Sequence, residues 1–248
     1  MYQEFARVYD EFMETIPYTE WADHIETLWR MFDLKPELVL DMACGTGGLA
    51  IELSKRGYDL IGTDLSSEML EEAREKAAVE GENILLVHQD MRDLELFGTV
   101  DTILCTCDSL NYVLEEEGIR EVFHRVAQYL EPNGLFLFDV NTEYKYQQIL
   151  ADHTFADTYD DAAFIWQNQY DPKTRLNEYL VNFFIEEEEG CYQRFEELHV
   201  QKAYTQEELR TWLQEAGLRV EAVFDGLNTK EPQKTSERWM FVARNLRK

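Results

Sequence analysis

The sequence predicts an α/β protein with a doubly wound, mostly parallel sheet of seven strands and an antiparallel β insertion. Three observations lead to this fold class. Apolar strand-like runs alternate with helical runs between residues 38 and 150, which is typical of parallel strands joined by right-handed crossovers. Residues 154–203 lack a helical period and are predicted to form short strands between turns. After residue 203 the chain returns to one helix and two strands.

Five strands are predicted before residue 150, each an apolar or β-branched run. They are LVLDMA, DLIGTD, NILLVHQD, VDTILCTCD and LFLFDV. The helix between the first two ends at Gly57, and Ser66 or Ser67 begins the next one as its N-cap. The helix before the fifth strand has the clearest period, from Ile119 to Leu130.

The remaining segments flank these five strands. Two amphipathic helices, around Glu4–Ile16 and Thr19–Phe32, form a predicted N-terminal cap. The runs LRVEAVF and ERWMFVARN are the last two predicted strands, after the helix TQEELRTWLQEAG. The predicted domain boundaries are 1–34 for the cap, 154–203 for the insertion, and 35–153 together with 204–248 for the main domain.

Charge and composition exclude several classes of partner. The chain has 50 acidic and 23 basic residues and a formal net charge of −27, so nucleic acid would be repelled. No signal-peptide-like run and no 18-residue apolar run occur. We therefore expect a soluble cytoplasmic protein without a membrane partner, either monomeric or homodimeric. The four cysteines lack metal-ligand spacing, so no metal is predicted.

A glycine-rich turn follows the first strand in VLDMACGTGGLA. The letters GTGGLA satisfy the dinucleotide pattern, which leaves a nicotinamide cofactor open. However, Asp41 lies inside the strand end, four residues before Gly45. A carboxylate there would repel a pyrophosphate and attract a cation. The middle of the ligand is therefore expected to be positive or neutral.

Two further acids end the next two strands. Asp64 lies 19 residues after Gly45, where a carboxylate can accept hydrogen bonds from both ribose hydroxyls. Asp90 ends the third strand, where it can accept from an exocyclic amino group. Both acids could instead cap helices. Three acids and one glycine turn describe an adenosine that carries an amino acid and a positive charge, which is S-adenosylmethionine.

Three motifs occur in order at the expected strand ends, namely LDMACGTGGLA, GTDLSSEML and HQDMRDL. In these motifs the chain resembles the class I S-adenosylmethionine-dependent methyltransferases, over roughly residues 35–141 and at the last two strands. The resemblance implies a Rossmann-like methyltransferase fold in which ERWMFVARN is antiparallel and lies between LFLFDV and LRVEAVF. The cofactor-binding residues are then Tyr9, Asp41, Ala43, Gly45, Thr46, Gly47, Asp64, Leu65, Met69, Asp90, Met91, Cys107 and Asp108.

The resemblance also implies roles on the methionine side of the cofactor. Gly45 and Gly47 would let the backbone approach the methionine part. Asp41 would lie near it and act through its amino group or a water. Cys107 and Asp108, at the end of the fourth strand, would line the methyl side.

On the adenosine side, the resemblance implies that Asp64 binds the ribose. Met69 would pack on the adenine ring, and Asp90 with Met91 would frame its edge. Met69 could equally be a core residue, because it lies on the apolar stripe of its helix.

The implied reaction is N- or O-methylation of a small-molecule acceptor. Enzymes that methylate amino groups in nucleic acid typically carry Asn/Asp-Pro-Pro-Tyr/Phe after the fourth strand, whereas this chain has CTCDSLNYV. The chain also resembles aminosugar N-methyltransferases in three short segments, QDMRDL, DSLNYV and RVYDEF. The alternative is a nucleotide-fold binding protein or an NAD(P)-dependent oxidoreductase without methyl transfer. No catalytic base is assigned.

Aromatic side chains with polar tips are expected to wall the acceptor pocket. Tyr9, beside Asp10, is expected to touch both cofactor and acceptor. The five histidines are interpreted as surface or packed residues, and two of them, His153 and His199, flank or lie in the insertion. The expected pocket residues are Tyr2, Tyr9, Tyr18, Trp21, Trp166, Tyr170, Tyr179 and Tyr192.

Overall fold

The structure is a computed structural model that describes residues 17–159, 161–188 and 190–247. The helix predicted around Glu4–Ile16 lies outside the described residues, and so does Tyr9. The described helices are α1 (Tyr18–Met31), α2 (Gly48–Lys55), α3 (Ser67–Glu80), α4 (Glu116–Tyr129) and α5 (Gln206–Ala216). The described strands are β1 (Leu38–Met42), β2 (Asp59–Asp64), β3 (Leu85–His88), β4 (Val100–Cys105), β5 (Leu130–Asn141), β6 (Thr154–Thr158), β7 (Ala162–Asp171), β8 (Leu176–Glu188), β9 (Cys191–Lys202), β10 (Leu218–Asp225) and β11 (Arg238–Asn245).

The main sheet has the strand order β10-β11-β5-β4-β1-β2-β3. The five strands from β1 to β5 are parallel to one another. β11 is antiparallel to both of its neighbours, β5 and β10. The predicted fold class is therefore confirmed, and ERWMFVARN lies between the two strands expected to flank it. The chain order reverses between β1 and β4, so a crevice for a ligand opens beyond their carboxyl ends.

Helices cover both faces of the main sheet, because its central strands carry apolar side chains on each side. On one face α4 contributes Phe123, which packs against Phe136 and Phe138 of β5. On the other face α1 contributes Trp29, which belongs to a buried cluster with Leu137. These two cores hold the strand ends in fixed positions, and the site is built on those ends.

The antiparallel insertion forms a separate sheet in the order β6-β7-β8-β9. Its last strand returns to the carboxyl edge of the main sheet, where the Asn111 amide donates to the carbonyl of Lys202 at 2.7 Å. Arg175, just before β8, pairs with Glu208 of α5 at 2.7 Å. The insertion is thus anchored to the main sheet at the same edge as the ligand crevice.

A glycine in β5 provides a test of the packing between β4 and β5. A Cβ on Gly134 would lie 2.7 Å from the carbonyl oxygen of Asp101 and 2.9 Å from that of Glu131. Since both are backbone atoms, the strands must shift to admit it. We expect Gly134→Ala to lower the free energy of unfolding by about 1–3 kcal/mol, measured by urea titration.

Gly98→Ala is the matched control, because a Cβ at Gly98 meets no atom within 4 Å. It should leave the unfolding free energy unchanged or raise it slightly. Equal stability of the two variants would contradict the close approach at Gly134.

Candidate active site

The glycine turn joins β1 to α2 and leaves part of its backbone facing open space. Ala43, Gly45 and Gly47 have φ angles of 60°, 54° and 75°, in the left-handed region that glycine adopts readily. A Cβ built on Gly45 would meet no protein atom within 4 Å. Thr46 between the two glycines is buried. The turn therefore allows a ligand to approach the backbone closely at Gly45.

Asp64 ties this turn to the end of β2. Its Oδ2 accepts the N–H of Gly45 at 2.8 Å, and its Oδ1 accepts the N–H of Ser66 at 2.9 Å. Burial raises the pKa of Asp64, although these hydrogen bonds favour the ionised form. A carboxylate has about four acceptor positions, so Asp64 keeps capacity for ribose hydroxyls. The next residue, Leu65, leaves 62% of its surface exposed.

Asp41 ends the neighbouring strand β1 and is only 2% exposed. Burial and the negative charge of Asp64 together raise the pKa of Asp41 to about 7. A cation beside this carboxylate would favour its ionised form and relieve the repulsion. The ammonium group of an amino acid supplies such a cation, whereas a pyrophosphate would add further negative charge.

The residues expected at the adenine end already contact other groups of the protein. Asp90 caps a single 3-10 turn through the N–H of Arg92 at 2.8 Å. The Arg92 guanidinium pairs with the same carboxylate and holds the pKa of Asp90 below its usual value. Met69 is 3% exposed, and Met91 packs against the core, so Leu65 offers more free apolar surface than either. The contacts of Asp90, Met69 and Met91 with adenine stay predictions.

Cys107 and Asp108 follow β4 and both have left-handed φ angles, of 57° and 54°. Such angles are uncommon outside glycine and indicate that the surroundings fix the backbone here. Burial raises the pKa of the Cys107 thiol. Cys107 therefore stays protonated and lacks the thiolate that a nucleophile needs.

A cluster of three charged side chains, missed in the sequence, holds Asp108. Arg238 at the start of β11 donates to Asp108 Oδ1 at 2.6 Å and also pairs with Asp139 near the end of β5. Asp139 Oδ2 accepts the N–H of Asp108 at 3.0 Å. Burial raises the pKa of Asp139, against the lowering effect of Arg238. We call Asp108, Asp139 and Arg238 the ion triad.

The insertion sheet reaches the ion triad through Gln201 of β9. Its amide Nε2 donates to Asp108 Oδ2 at 2.7 Å. Its Oε1 accepts the hydroxyls of Tyr146 at 2.8 Å and Tyr179 at 2.5 Å. Because buried polar groups with several hydrogen bonds hold one geometry, Gln201 fixes the insertion relative to the end of β4.

Three of the aromatic residues expected to wall an acceptor pocket, Trp166, Tyr170 and Tyr179, belong to one cluster of the insertion. Trp166 and Tyr179 contact each other on the insertion sheet, with ring centroids 5.4 Å apart. Tyr18 and Trp21 belong instead to the core cluster on α1, and the Arg238 guanidinium lies 5.8 Å from the centroid of the Trp21 ring. Tyr192 is 51% exposed. Tyr2 and Tyr9 lie outside the described residues. The pocket wall stays a prediction for Trp166, Tyr170 and Tyr179.

The described residues fit S-adenosylmethionine better than a dinucleotide. The open backbone at Gly45 suits the methionine part, and Asp64 retains acceptors for a ribose. The exposed Leu65 gives an apolar surface for a base. The buried Asp41, whose pKa is raised to about 7, favours a ligand with a positive group beside it over one with a pyrophosphate there.

Comparison with known proteins shows the family. Residues 39–134 match the family described as a methyltransferase domain. The chain is 36% identical over 244 residues to a protein of Geobacillus sp. (strain WCH70) provisionally named a methyltransferase, covering 98% of this chain and 99% of that protein. It also resembles a crystal structure of an S-adenosylmethionine-dependent methyltransferase from Clostridium acetobutylicum ATCC 824, with 31% identity, a TM-score of 0.89 and 98% of each chain covered. The chain belongs to the S-adenosylmethionine-dependent methyltransferase family.

A third relative is the dTDP-3-amino-3,4,6-trideoxy-alpha-D-glucopyranose N,N-dimethyltransferase of Streptomyces venezuelae. It is 26% identical over 240 residues, which cover 91% of this chain and 95% of that protein. The predicted methyltransferase activity and the predicted cofactor are confirmed by these relationships. Nothing supports the alternative of a nicotinamide enzyme or a pure binding protein. In the part of the chain that the structure describes, no helix has the length and apolarity to cross a membrane.

Some of the site residues that the sequence analysis missed have a signal in the sequence, and others have none. Asp139 has a readable signal, because it lies in LFLFDV at a strand end, as Asp64 does in DLIGTD. Arg238 and Gln201 have none, since they reach Asp108 from 130 and 93 residues away along the chain. Only the strand order brings them together.

Because the pKa of Asp41 is raised, we expect its replacement by Asn to increase stability but to weaken cofactor binding. A carboxyl group whose pKa is raised on folding costs no stability at low pH. The cost appears as the pH rises from about 4 to about 7 and persists above that range. Asp41→Asn cannot ionise, so at pH 8 it should unfold with a higher free energy than the wild type, by at most about 4 kcal/mol. It should bind S-adenosylhomocysteine more weakly, by about 1.5–3 kcal/mol, because the charged partner of the ammonium group is lost.

Chemical denaturation at pH 4 and pH 8 and isothermal titration measure the two effects. Asp59→Asn is the matched control, because Asp59 is an exposed acid at the start of β2. It should change neither quantity. An Asp41→Asn variant that is less stable than the wild type at pH 8, or that keeps full affinity, would remove Asp41 from this role.

Proposed function

We propose that this methyltransferase transfers a methyl group to the nitrogen of a small-molecule amine. The observation that carries the proposal is the hydrogen bond from Gln201 to Asp108 at 2.7 Å, which closes the insertion sheet against the end of β4. An acceptor that approaches the methyl group beside Asp108 must fit between the main sheet and β9. Such a confined space suits a molecule of sugar or amino-acid size better than a nucleic-acid duplex or a folded protein.

S-adenosylmethionine supplies an electrophilic methyl group on a positively charged sulfur. In our proposal Asp41 receives the ammonium group, Asp64 binds the ribose and Leu65 covers the adenine, while Asp108 lies beside the methyl group. The other proposed cofactor residues are Tyr9, Ala43, Gly45, Thr46, Gly47, Met69, Asp90, Met91 and Cys107. The proposed domain division is unchanged, with residues 154–203 and 1–34 on the acceptor side.

Charge supports an amine acceptor. The chain carries a formal net charge of −27, which attracts a small cation and repels nucleic acid. On the acceptor side Asp108, Asp139 and Glu197 are accompanied by the guanidinium of Arg238. The aminosugar N,N-dimethyltransferase of Streptomyces venezuelae aligns over 91% of this chain and supports the same acceptor chemistry. We propose a monomer or a homodimer.

The protein contributes to the reaction by aligning the acceptor with the methyl group and, where needed, by removing a proton from the acceptor. Methyl transfer needs the acceptor nitrogen in line with the sulfur–methyl bond and water excluded from it. A side-chain base is needed only if the acceptor nitrogen is still protonated when it binds. Cys107 is not a nucleophile for such a step, because its thiol stays protonated.

A screen for release of S-adenosylhomocysteine tests the proposed function. Small primary and secondary amines, aminosugars and hydroxy-aromatics are incubated with S-adenosylmethionine and the purified protein. We expect release with one or more amines and none with the matching alcohols. A short DNA duplex and a single-stranded RNA serve as control acceptors. Turnover of those nucleic acids with none of the amines would contradict the proposal.

A further inference from the structure

A path of polar contacts links the insertion sheet to the segment after β4. Tyr112 ends the 3-10 turn Ser109–Tyr112, and its hydroxyl lies 3.5 Å from Nδ1 of His199. On the other side of the imidazole ring, Nε2 lies 3.1 Å from the carboxylate of Glu197. We call Tyr112, His199 and Glu197 the relay.

Burial gives the relay a direction. The side chains of His199 and Glu197 are 5% and 12% exposed, whereas Tyr112 is 36% exposed. Only the tyrosine end is therefore open to a ligand or to water. The distance of 3.5 Å is long, as catalytic hydrogen bonds commonly are before they tighten in a Michaelis complex.

The 3.1 Å contact between Nε2 and the Glu197 carboxylate favours one tautomer of His199. An ionised carboxylate only accepts hydrogen bonds, so the ring nitrogen facing Glu197 carries the proton. The other nitrogen, Nδ1, is then an acceptor and faces the Tyr112 hydroxyl. In this tautomer His199 can take up a proton that arrives through Tyr112.

The relay lies at the same edge as the methyl side of the proposed cofactor site. His199 and Gln201 are two residues apart on β9, so their side chains project from the same face of the sheet. Gln201 contacts Asp108, and His199 contacts Tyr112, which lies four residues further along the same segment. One strand of the insertion thus carries both contacts to the segment that follows β4.

We propose that the relay removes a proton from the acceptor amine, an inference that rests on the proposed function. An ammonium group has no lone pair and must lose a proton before it attacks. The Tyr112 oxygen takes that proton as its own hydroxyl proton passes to His199 Nδ1, and Glu197 stabilises the resulting imidazolium. The amine lone pair then forms the N–C bond as the C–S bond breaks, and the sulfur keeps the electron pair of that bond. The proton leaves to water through Tyr112.

Other ionisable groups also surround the imidazole. Tyr179 lies directly across from His199 on β8. Asp108, which pairs with Arg238, accepts the amide of Gln201, two residues after His199 on β9. Among the described residues, Glu197 is the acid that this structure pairs with His199. Glu197 is therefore the partner expected to hold the imidazolium.

The test uses the amine that gives the highest rate of S-adenosylhomocysteine release in the screen. His199→Asn keeps a hydrogen-bond acceptor near the position of Nδ1 but cannot take up a proton. Tyr112→Phe interrupts the path at its open end, and Glu197→Gln keeps an acceptor for Nε2–H without the charge. We expect His199→Asn and Tyr112→Phe each to lower kcat by about 10²–10⁴-fold, the usual size of general-base effects. Glu197→Gln should lower kcat by less.

Three readouts separate this role from a structural one. The affinity for S-adenosylhomocysteine should stay within error of the wild type in each variant. The loss in kcat should shrink as the pH is raised from about 7 to about 9, because more of the amine is then already deprotonated. The double variant His199→Asn/Tyr112→Phe should be no slower than either single variant, since groups that act as a unit are not additive. His153→Asn, at an exposed histidine before β6, is the matched control and should keep wild-type kcat.

Each outcome decides between the two proposals. Wild-type activity on amines together with unchanged kcat in His199→Asn and Tyr112→Phe overturns the relay and leaves the proposed function intact. Additive losses in the double variant, or a deficit that is the same at every pH, also overturn the relay. No release with any amine by the wild type overturns the proposed function, and the relay with it. If His199→Asn fails to fold, the pH dependence of kcat in Tyr112→Phe, at the exposed end, decides the relay.

Discussion

Carboxylates gathered at the carboxyl edge of the main sheet are the constraint on which the rest of the site depends. Asp41, Asp64, Asp108 and Asp139 lie at or just beyond the ends of β1, β2, β4 and β5. Buried carboxylates repel one another, and each requires hydrogen-bond donors or a cation. Arg238 supplies the cation for Asp108 and Asp139. Asp64 accepts the N–H groups of Gly45 and Ser66, and Asp41 beside it favours a ligand that carries positive charge.

The two carboxylate pairs also divide the edge between the two reactants. The pair of Asp41 and Asp64 borders the glycine turn, which Asp64 ties to the end of β2. The pair of Asp108 and Asp139 borders the insertion, because Gln201 of β9 donates to Asp108. In-line transfer requires both reactants to be held in one geometry. Arg238 of β11 pairs with Asp108 after β4 and with Asp139 of β5. These contacts hold the acceptor side of the edge in a fixed position relative to the main sheet.

The sequence predicts the donor side of this site better than the acceptor side. The glycine turn and Asp64 are local features of one strand–turn–helix unit, so the motif letters were sufficient to find them. Asp90 shows the limit of that logic, because its position at a strand end is right but its carboxylate is engaged by Arg92 two residues later. A local salt bridge of this kind depends on side-chain rotamers that no spacing rule contains.

The fold could also be predicted from local sequence patterns, whereas the contacts on the acceptor side could not. Alternating strands and helices specify a parallel sheet, and the resemblance supplied the antiparallel position of β11. The contact between β9 and the segment after β4 depends instead on how a second sheet sits against the first. His199 illustrates this point, since it is one polar residue on an alternating strand until the structure pairs it with Tyr112 and Glu197. The contact with Tyr112, 87 residues away, follows from topology and cannot be read from local sequence.

Proton exchange on cofactor binding tests directly whether Asp41 receives the ammonium group of the ligand. Isothermal titration of S-adenosylhomocysteine at pH 7 in buffers of different ionisation enthalpy counts the protons released per ligand bound. Because the pKa of Asp41 is about 7, about half of the molecules carry the proton at this pH, and the ligand's ammonium group should expel it. We expect release of roughly half a proton by the wild type and none by Asp41→Asn. Binding without proton release by the wild type, or equal release by Asp41→Asn, would contradict this role of Asp41.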